Sequence, residues 1–134
     1  MLFGFGSNQD FADASRVIAF ASAGGLGLPD RDYYVKTDPK SEETRLKYVQ
    51  HVQSMFELLG EGSATAKANA AVVMEIETAL AKASLTRVEK RDPYKLFHKM
   101  TRKELEALTP SFKWDSYLKV AGLPDIAELN VTEP

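Results

Sequence analysis

Patterns of residues that could bind a metal or catalyse a reaction are scarce in this chain. The two histidines, His51 and His98, lie far apart, and no His-Glu-x-x-His motif is present. Zinc sites draw mainly on His and Cys, and the chain contains no cysteine. We therefore predict no metal site in this chain and interpret His51 as a residue on the polar face of a helix.

Other catalytic patterns are also missing from the sequence. No Gly-x-Ser-x-Gly motif occurs. Gly24, Gly25 and Gly27 are not followed by the lysine and serine of a phosphate-binding loop, so they predict a turn. Glu75 and Glu77 stand two residues apart on a predicted helix, where their carboxylates point to different faces and cannot act as an acid and base pair. The sequence predicts no catalytic residue, and it leaves any substrate-binding residue unknown.

Two clusters combine charged residues with tyrosine or proline. One is Leu28-Pro29-Asp30-Arg31-Asp32-Tyr33-Tyr34, and the other is Arg87-Val88-Glu89-Lys90-Arg91-Asp92-Pro93. Tyrosines need an apolar side and a hydrogen-bond partner, so a pair of them in a loop is unusual. We interpret the clusters as structural, with Asp30 or Asp92 capping a short helix and the arginines pairing with acids. The alternative is a substrate-facing arginine or tyrosine.

The elements that would position these residues are mostly helical. Asp38-Pro39 predicts a helix start, and an apolar stripe carries that helix to about Leu59. A second helix over 63–84 follows a short glycine-containing turn, which predicts a long antiparallel helix pair over 38–84. The predicted core is Val49, Val52, Phe56, Val73, Ile76, Leu80, Leu96, Leu105 and Trp114.

The rest of the chain predicts shorter elements. Leu2 to Asn8 and Arg16 to Ser22 predict a small N-terminal hairpin, with a helix from Gln9 through Phe20 as the alternative. Short helices are predicted over 94–100, 101–108 and 114–121, and the segment 127–131 is predicted to be extended. The Thr101–Glu104 pair forms a capping box, and Gly122 with Pro124 ends the last helix.

Composition places the chain among water-soluble globular domains. It has 134 residues, of which 44% are hydrophobic and 27% charged, and its formal net charge is −2. The charges are interspersed, so nucleic acid is not an expected partner. No membrane segment is apparent. We predict a mainly α fold in one domain, 1–134, divided into a hairpin and Gly-rich loop (1–28), the helix pair (38–84) and short helices (92–122).

The same clusters carry a family resemblance. Gly25-Leu26-Gly27-Leu28-Pro29-Asp30-Arg31-Asp32-Tyr33-Tyr34, Arg91-Asp92-Pro93 followed by His98-Lys99-Met100-Thr101, and Leu108-Thr109-Pro110-Ser111-Phe112-Lys113-Trp114 occur in this order. Together they resemble the N-terminal region of the neprilysin and endothelin-converting-enzyme family of zinc metallopeptidases. The resemblance implies a largely helical region that caps a separate catalytic domain and helps to enclose the substrate chamber.

The resemblance transfers no catalytic or zinc-binding residue to this chain, because the family's zinc motifs are absent. It implies that Asp30, Arg31, Asp32, Tyr33, Tyr34, Arg91, Asp92 and Pro93 are signature residues with structural roles. It also implies zinc in the parent enzyme, peptide substrates of that parent, the parent's catalytic domain as partner, and an extracytoplasmic location. The lack of cysteine points to a bacterial-type relative.

Our leading hypothesis is an inactive, non-catalytic fragment of such a metalloendopeptidase. The abrupt Leu2-Phe3-Gly4-Phe5 start favours an excised piece that exposes an apolar patch. The alternative is a stand-alone helical interaction or regulatory module without peptidase activity.

Overall fold

The computed structural model describes residues 2–123 and 126–134, and Pro124 of the predicted helix stop lies outside them. The chain forms two compact units. Unit 1 comprises residues 1–24 and 88–134, and unit 2 comprises residues 25–87. The organisation of the whole chain as one domain stays a prediction.

Unit 1 is built on a four-stranded sheet. Its strands are β1 (Phe3–Gln9), β2 (Val17–Ala23), β3 (Lys99–Thr101) and β4 (Glu128–Val131), in the spatial order β1-β2-β4-β3. β1 and β2 form the predicted antiparallel hairpin, in register from Phe3 opposite Ala23 to Gln9 opposite Val17. The alternative helix through Phe20 is therefore wrong.

Two further segments, which the sequence analysis did not assign to the hairpin, also form strands of the sheet. The extended segment near the C-terminus becomes β4, which pairs with β2 in parallel and with β3 in the antiparallel direction. The predicted helix over 94–100 is wrong at its end, where Lys99–Thr101 forms β3. Both differences arise from pairing between distant segments, which local sequence patterns do not record.

Unit 2 consists of a loop and three helices. These helices are α1 (Asp32–Val35), α2 (Pro39–Leu58) and α3 (Ser63–Ala83). Asp38 caps α2 by accepting a hydrogen bond from the Ser41 amide at 3.0 Å, and Pro39 occupies the first helical position. These are the start signals that the sequence contains.

The described residues of unit 1 form two more α-helices and two short 3₁₀ helices. The α-helices are α4 (Arg102–Leu108) and α5 (Trp114–Val120), and the 3₁₀ helices cover Glu89–Arg91 and Pro93–Leu96. The capping box that begins α4 is confirmed, since the Thr101 and Glu104 side chains each bond to the other residue's backbone amide. Gly122 follows α5 with a φ of 66°. About half of the chain is helical, and it carries a four-stranded sheet rather than a hairpin alone.

The buried core of unit 1 lies between the sheet and the short helices. It consists of Ala21, Leu105, Trp114, Leu129 and Val131. Leu105 and Trp114 were predicted correctly. The predicted core residues on the long helices are wrong, because α2 buries no residue completely and Ile76 on α3 is 48% exposed. An apolar stripe predicts a helix, but it does not show whether a second layer covers that helix.

Half-buried positions account for the other predicted core residues: Val49, Val52, Phe56, Val73, Leu80 and Leu96. The N-terminal aromatic residues show a similar intermediate state. Phe3 and Phe5 are half-buried against Trp114, with ring centroids 5.4 and 6.2 Å from it, while Leu2 is 63% exposed.

Candidate functional site

The most concentrated set of polar contacts in unit 2 surrounds the carboxylate of Glu77. This side chain lies on α3 and accepts three hydrogen bonds. They come from the Tyr34 hydroxyl at 2.5 Å, from the Tyr48 hydroxyl at 2.9 Å and from the Gly27 amide at 3.1 Å. Donors from the loop, from α1 and from α2 therefore converge on one acceptor of α3. We refer to these four residues as the Glu77 cluster.

Tyr34 links the two ends of the first signature cluster, Leu28 to Tyr34. Its ring is 5% exposed, and its hydroxyl accepts a hydrogen bond from the Leu28 amide at 2.8 Å while donating to Glu77. The Tyr34 hydroxyl thus connects α1 both to the loop at Leu28 and to α3 at Glu77. A buried tyrosine requires such partners, as the sequence indicated.

Gly27 is required where it lies. A Cβ atom at this position would overlap the phenol of Tyr48, so no other residue fits without movement of that ring. Gly25 adopts a φ of 79°, a conformation that favours glycine. The glycine cluster is thus a turn, as predicted, and it brings a backbone amide to the Glu77 carboxylate.

The environment of the Glu77 cluster keeps both phenols protonated. Burial raises the pKa of Tyr34 well above its ordinary value, and its hydrogen bond to Glu77 raises it further. Burial and the bond to Glu77 also raise the pKa of Tyr48, from 10.0 to about 12. A phenol with such a pKa does not act as a base near neutral pH. The arrangement can hold backbone in place, and nothing in it favours proton transfer.

The acidic and basic signature residues form separate local contacts. Asp30 accepts a hydrogen bond from the Asp32 amide at 2.8 Å, and its second oxygen lies 3.5 Å from the Arg87 guanidinium. Arg31 directs its Nε to the Ala81 carbonyl at 3.1 Å, near the C-terminus of α3. Asp30 therefore stabilises the start of α1 and Arg31 the end of α3.

Asp32 and Tyr33 are the first two residues of α1. Asp32 pairs with Lys36 one turn later at 2.9 Å. Tyr33 is 36% exposed, and its carbonyl accepts a hydrogen bond from Arg45 at 2.9 Å. Arg45 also donates to the Lys36 carbonyl at 2.7 Å, so it joins α2 to the end of α1.

A shallow groove of about 320 Å³ runs beside these residues in unit 2. Its carboxylates already have partners, because Asp30 faces Arg87, Asp32 pairs with Lys36 and Asp38 caps α2. None of these three carboxylates is therefore left unpaired to bind a cation.

The second signature cluster lies at the 3₁₀ helices of unit 1. Asp92 accepts a hydrogen bond from the Tyr94 amide at 3.0 Å and caps the helix that Pro93 begins. Arg91 ends the preceding 3₁₀ helix and is exposed. Residues 88–93 of this cluster belong to unit 1, whereas its first residue, Arg87, belongs to unit 2 and faces Asp30 of the first cluster.

Sequence reasoning missed a charged network in unit 1. The carboxylate of Asp10 is fully buried and lies 2.7 Å from Lys99, which also lies 3.3 Å from Glu128. Glu128 in turn pairs with Arg16 at 2.7 Å. The hydrogen bond from Lys99 lowers the pKa of Asp10. This network ties the β1–β2 connection to β3 and β4.

Neither histidine belongs to a cluster of potential metal ligands in the described part of the chain. His51 is exposed on α2, as predicted, and Nδ1 of His98 lies 3.1 Å from the Val131 carbonyl. Within residues 2–123 and 126–134, no group of three His, Asp or Glu side chains is arranged to hold a metal ion. The zinc implied by the family resemblance therefore does not fit the described residues.

The Glu77 cluster was also missed, although part of its signal was visible. The adjacent tyrosines Tyr33 and Tyr34 indicated that a hydrogen-bond partner must exist. Glu77 lies 43 residues from Tyr34, and no local sequence pattern identifies it as that partner. The spacing of Glu75 and Glu77 was interpreted correctly, since Glu75 is exposed and only Glu77 meets the tyrosines.

The fold and these signature residues identify the chain as one region of a larger enzyme. The N-terminal-region model of peptidase family M13 matches residues 1–134, and the chain belongs to this family. The predicted resemblance to neprilysin and endothelin-converting enzyme is thereby confirmed.

Individual relatives support the assignment. Endothelin-converting enzyme 1 of Cavia porcellus is 33% identical over 95% of this chain, and the human enzyme is 35% identical over 82%. These matches cover 17% and 14% of the relatives. The solved structure of zinc metalloprotease Zmp1 from Mycobacterium tuberculosis, in complex with inhibitor, matches all of this chain with a TM-score of 0.91 and 29% identity.

The chain spans only a fraction of its relatives' length, about a sixth of the curated enzymes and 20% of the Zmp1 chain. Within the described residues, no helix combines the length and apolar character needed to cross a bilayer.

Proposed function

We propose that this chain is a non-catalytic part of the N-terminal region of a neprilysin-like zinc metalloendopeptidase, in which it caps the substrate chamber and restricts access to it. The observation that carries the proposal is the family match over residues 1–134, combined with the lack of a metal-ligand group among the described residues. The chain alone is inactive, and the parent's zinc is held by residues outside it.

The partner of this region is the catalytic domain of the same parent chain, and the parent's substrates are peptides. Support comes from the relatives, which are named as an endothelin-converting enzyme and a zinc metalloprotease and are several times longer than this chain. A stand-alone regulatory module has no comparable support.

In this role the signature residues are structural. Asp30, Arg31, Asp32, Tyr33 and Tyr34 fix the loop and α1, and Arg91, Asp92 and Pro93 shape the 3₁₀ helices. We further propose that α2 and α3 form an antiparallel pair, which the short connection Leu59–Gly62 and the hydrogen bond from Tyr48 to Glu77 support. Such a pair, held to the loop by the Glu77 cluster, is a rigid wall suited to enclosing a chamber.

The parent is proposed to be extracytoplasmic, which rests on the family resemblance. The absence of cysteine supports a bacterial-type source.

Two measurements test the proposal. The first compares zinc content and peptide hydrolysis of the 134-residue chain with those of the full-length gene product. We expect activity and stoichiometric zinc only in the longer protein, and chelator-sensitive cleavage by the chain alone would refute the assignment.

The second measurement tests the restriction of access. In the full-length product, Glu77→Ala should loosen the wall and raise the cleavage rate of long peptides relative to short ones. Glu75→Ala is the matched control, because Glu75 is exposed on the same helix two residues away. If both variants keep the wild-type ratio of long to short substrates while the Glu77 variant is destabilised, the capping role is wrong.

A further inference from the structure

The outer edge of β1 is open in the described part of the chain. β1 ends the sheet order β1-β2-β4-β3, so among residues 2–123 and 126–134 it pairs with β2 alone. In an antiparallel pair, alternate residues direct both N–H and C=O away from the partner strand. Along the seven residues of β1, about half of the backbone polar groups therefore point outward.

This edge lacks the features that protect exposed strands. Edge strands usually carry charged residues, proline or a bulge, or are very short. The sequence of β1, Phe-Gly-Phe-Gly-Ser-Asn-Gln, has no charge and no proline, and its pairing with β2 is continuous. The opposite edge strand, β3, is only three residues long and contains Lys99. The sheet thus has one protected edge and one unprotected edge.

Two glycines in β1 have no local explanation. Gly4 and Gly6 are not among the glycines with positive φ. A Cβ at Gly6 would meet nothing within 4 Å, and one at Gly4 would meet only Ser22 at 3.9 Å. Glycine weakens a strand, and it often marks a place where another backbone approaches closely. Neither conformation nor packing within the described residues requires these two glycines.

The other face of β1 presents an apolar row that a neighbouring strand would extend. Phe3 and Phe5 alternate with the glycines and remain half-buried, although both contact Trp114. A strand lying beside β1 would cover their outer sides with every second side chain. Its remaining side chains would lie over the space left by Gly4 and Gly6.

We propose that β1 is an inner strand in the longer parent, where an extended segment of the parent chain outside these 134 residues pairs with its open edge. That segment carries apolar residues at alternate positions and bulky side chains opposite the glycines. The inference rests on the proposed function, because it requires a longer parent. This chain covers 17% of an endothelin-converting enzyme and 20% of Zmp1, so the relatives have ample chain to supply such a strand.

A permanent partner explains the sequence of β1 better than a transient one. A strand that is always paired needs neither charge nor proline to prevent aggregation, whereas an edge that is repeatedly uncovered does. The pairing mode is strand addition, in which main-chain hydrogen bonds supply the attachment.

Amide hydrogen exchange along β1 tests the proposal in the 134-residue chain and in the full-length gene product. In the short chain, protection should alternate over Phe3 to Ser7, because only the amides bonded to β2 are held; the Gln9 amide is left out of the comparison, because it donates to Oδ1 of Asn8 at 2.8 Å. In the full-length product, the outward amides should also be protected, exchanging at least roughly tenfold more slowly. Equal exchange of the outward amides in the two proteins would overturn the inference and leave the proposed function intact.

A pair of variants in the full-length product separates the edge from the hairpin. Ser7→Lys places a charge on the Phe3 and Phe5 side of β1 and should restore rapid exchange at the outward amides. Val17→Lys is the control, because Val17 is already 72% exposed and lies on β2. Protection that is unaffected by Ser7→Lys, or that disappears on dilution as expected for a second copy, contradicts the proposal. A gene product that ends at residue 134 would refute the proposed function and this inference together.

Discussion

Removing one oxygen atom from Tyr34 tests the structural role of the Glu77 cluster. Tyr34→Phe keeps the buried ring but deletes a hydroxyl that donates to Glu77 at 2.5 Å and accepts from the Leu28 amide at 2.8 Å. A hydrogen bond to a charged group contributes about 1.5–3 kcal/mol, and a buried donor left without an acceptor costs about 1–3 kcal/mol. Leu28 is half-buried, so water replaces part of the second loss. We expect the free energy of unfolding to fall by about 3 kcal/mol.

Tyr48→Phe is the matched control on the same carboxylate. Its hydroxyl makes one hydrogen bond to Glu77, at 2.9 Å, and accepts none from the backbone. The residue is only half-buried, so water can solvate Glu77 in its place. We expect a loss of about 1 kcal/mol, near the average for one hydrogen bond. The two variants remove the same atom, and they differ in burial and in the number of bonds lost.

Urea unfolding measured by far-UV circular dichroism provides the assay, because α2 and α3 supply most of the helical signal. Trp114 is the only tryptophan and lies in unit 1, so its fluorescence follows the other unit separately. The comparison requires unchanged m-values. The reasoning would be refuted by a loss below about 1 kcal/mol for Tyr34→Phe, or by an equal loss for Tyr48→Phe.

Three further outcomes follow from the contacts. Because the folded pKa values of Tyr34 and Tyr48 are raised, the stability they contribute is complete below pH 10.0 and is lost as the pH rises toward about 12. In absorbance titrations, Tyr34→Phe and Tyr48→Phe should each lack a transition that the wild type shows above pH 10.0, and a missing transition at or below pH 10.0 would contradict this. Asp10→Asn should lower the urea midpoint at neutral pH, and the difference from wild type should shrink as acid protonates Asp10, whose folded pKa is lowered by Lys99; a constant difference at all pH values would contradict the pairing. Gly27→Ala should cost about 1–3 kcal/mol by overlap with Tyr48 and much less in a Tyr48→Ala background; equal costs in urea unfolding of both backgrounds would exclude that overlap.

Local signals in the sequence predicted local structure well. Asp38 and Pro39 placed the start of α2, and Thr101 with Glu104 placed the start of α4. Each signal acts within one turn of helix, where the capping side chain and the free amide are a few residues apart. The family assignment likewise drew on short signature segments that survive in order along the chain.

Contacts between distant segments could not be predicted in the same way. β4 pairs with β2 across more than a hundred residues, and the Lys99 to Asp10 bond spans 89. Periodicity marks which side of a segment is apolar, but it does not identify the segment that covers it. The predicted core on α2 and α3 failed for this reason, whereas Leu105 and Trp114 succeeded because the sheet covers them.

Residue types alone predicted part of the Glu77 cluster. Two adjacent tyrosines behind a glycine-rich turn require hydrogen-bond partners, and Tyr34 finds its partner in Glu77 of α3, 43 residues away along the chain. The same carboxylate also accepts a hydrogen bond from the Gly27 amide, 50 residues away. Sequence reasoning placed Glu75 and Glu77 on different faces of their helix, and in the structure Glu75 is exposed while Glu77 contacts the phenols. Glu77 is fully engaged by one amide and two phenols, and both phenols have raised pKa values. A carboxylate used in this way fixes the loop and its helices relative to one another within unit 2, as the proposed capping role requires.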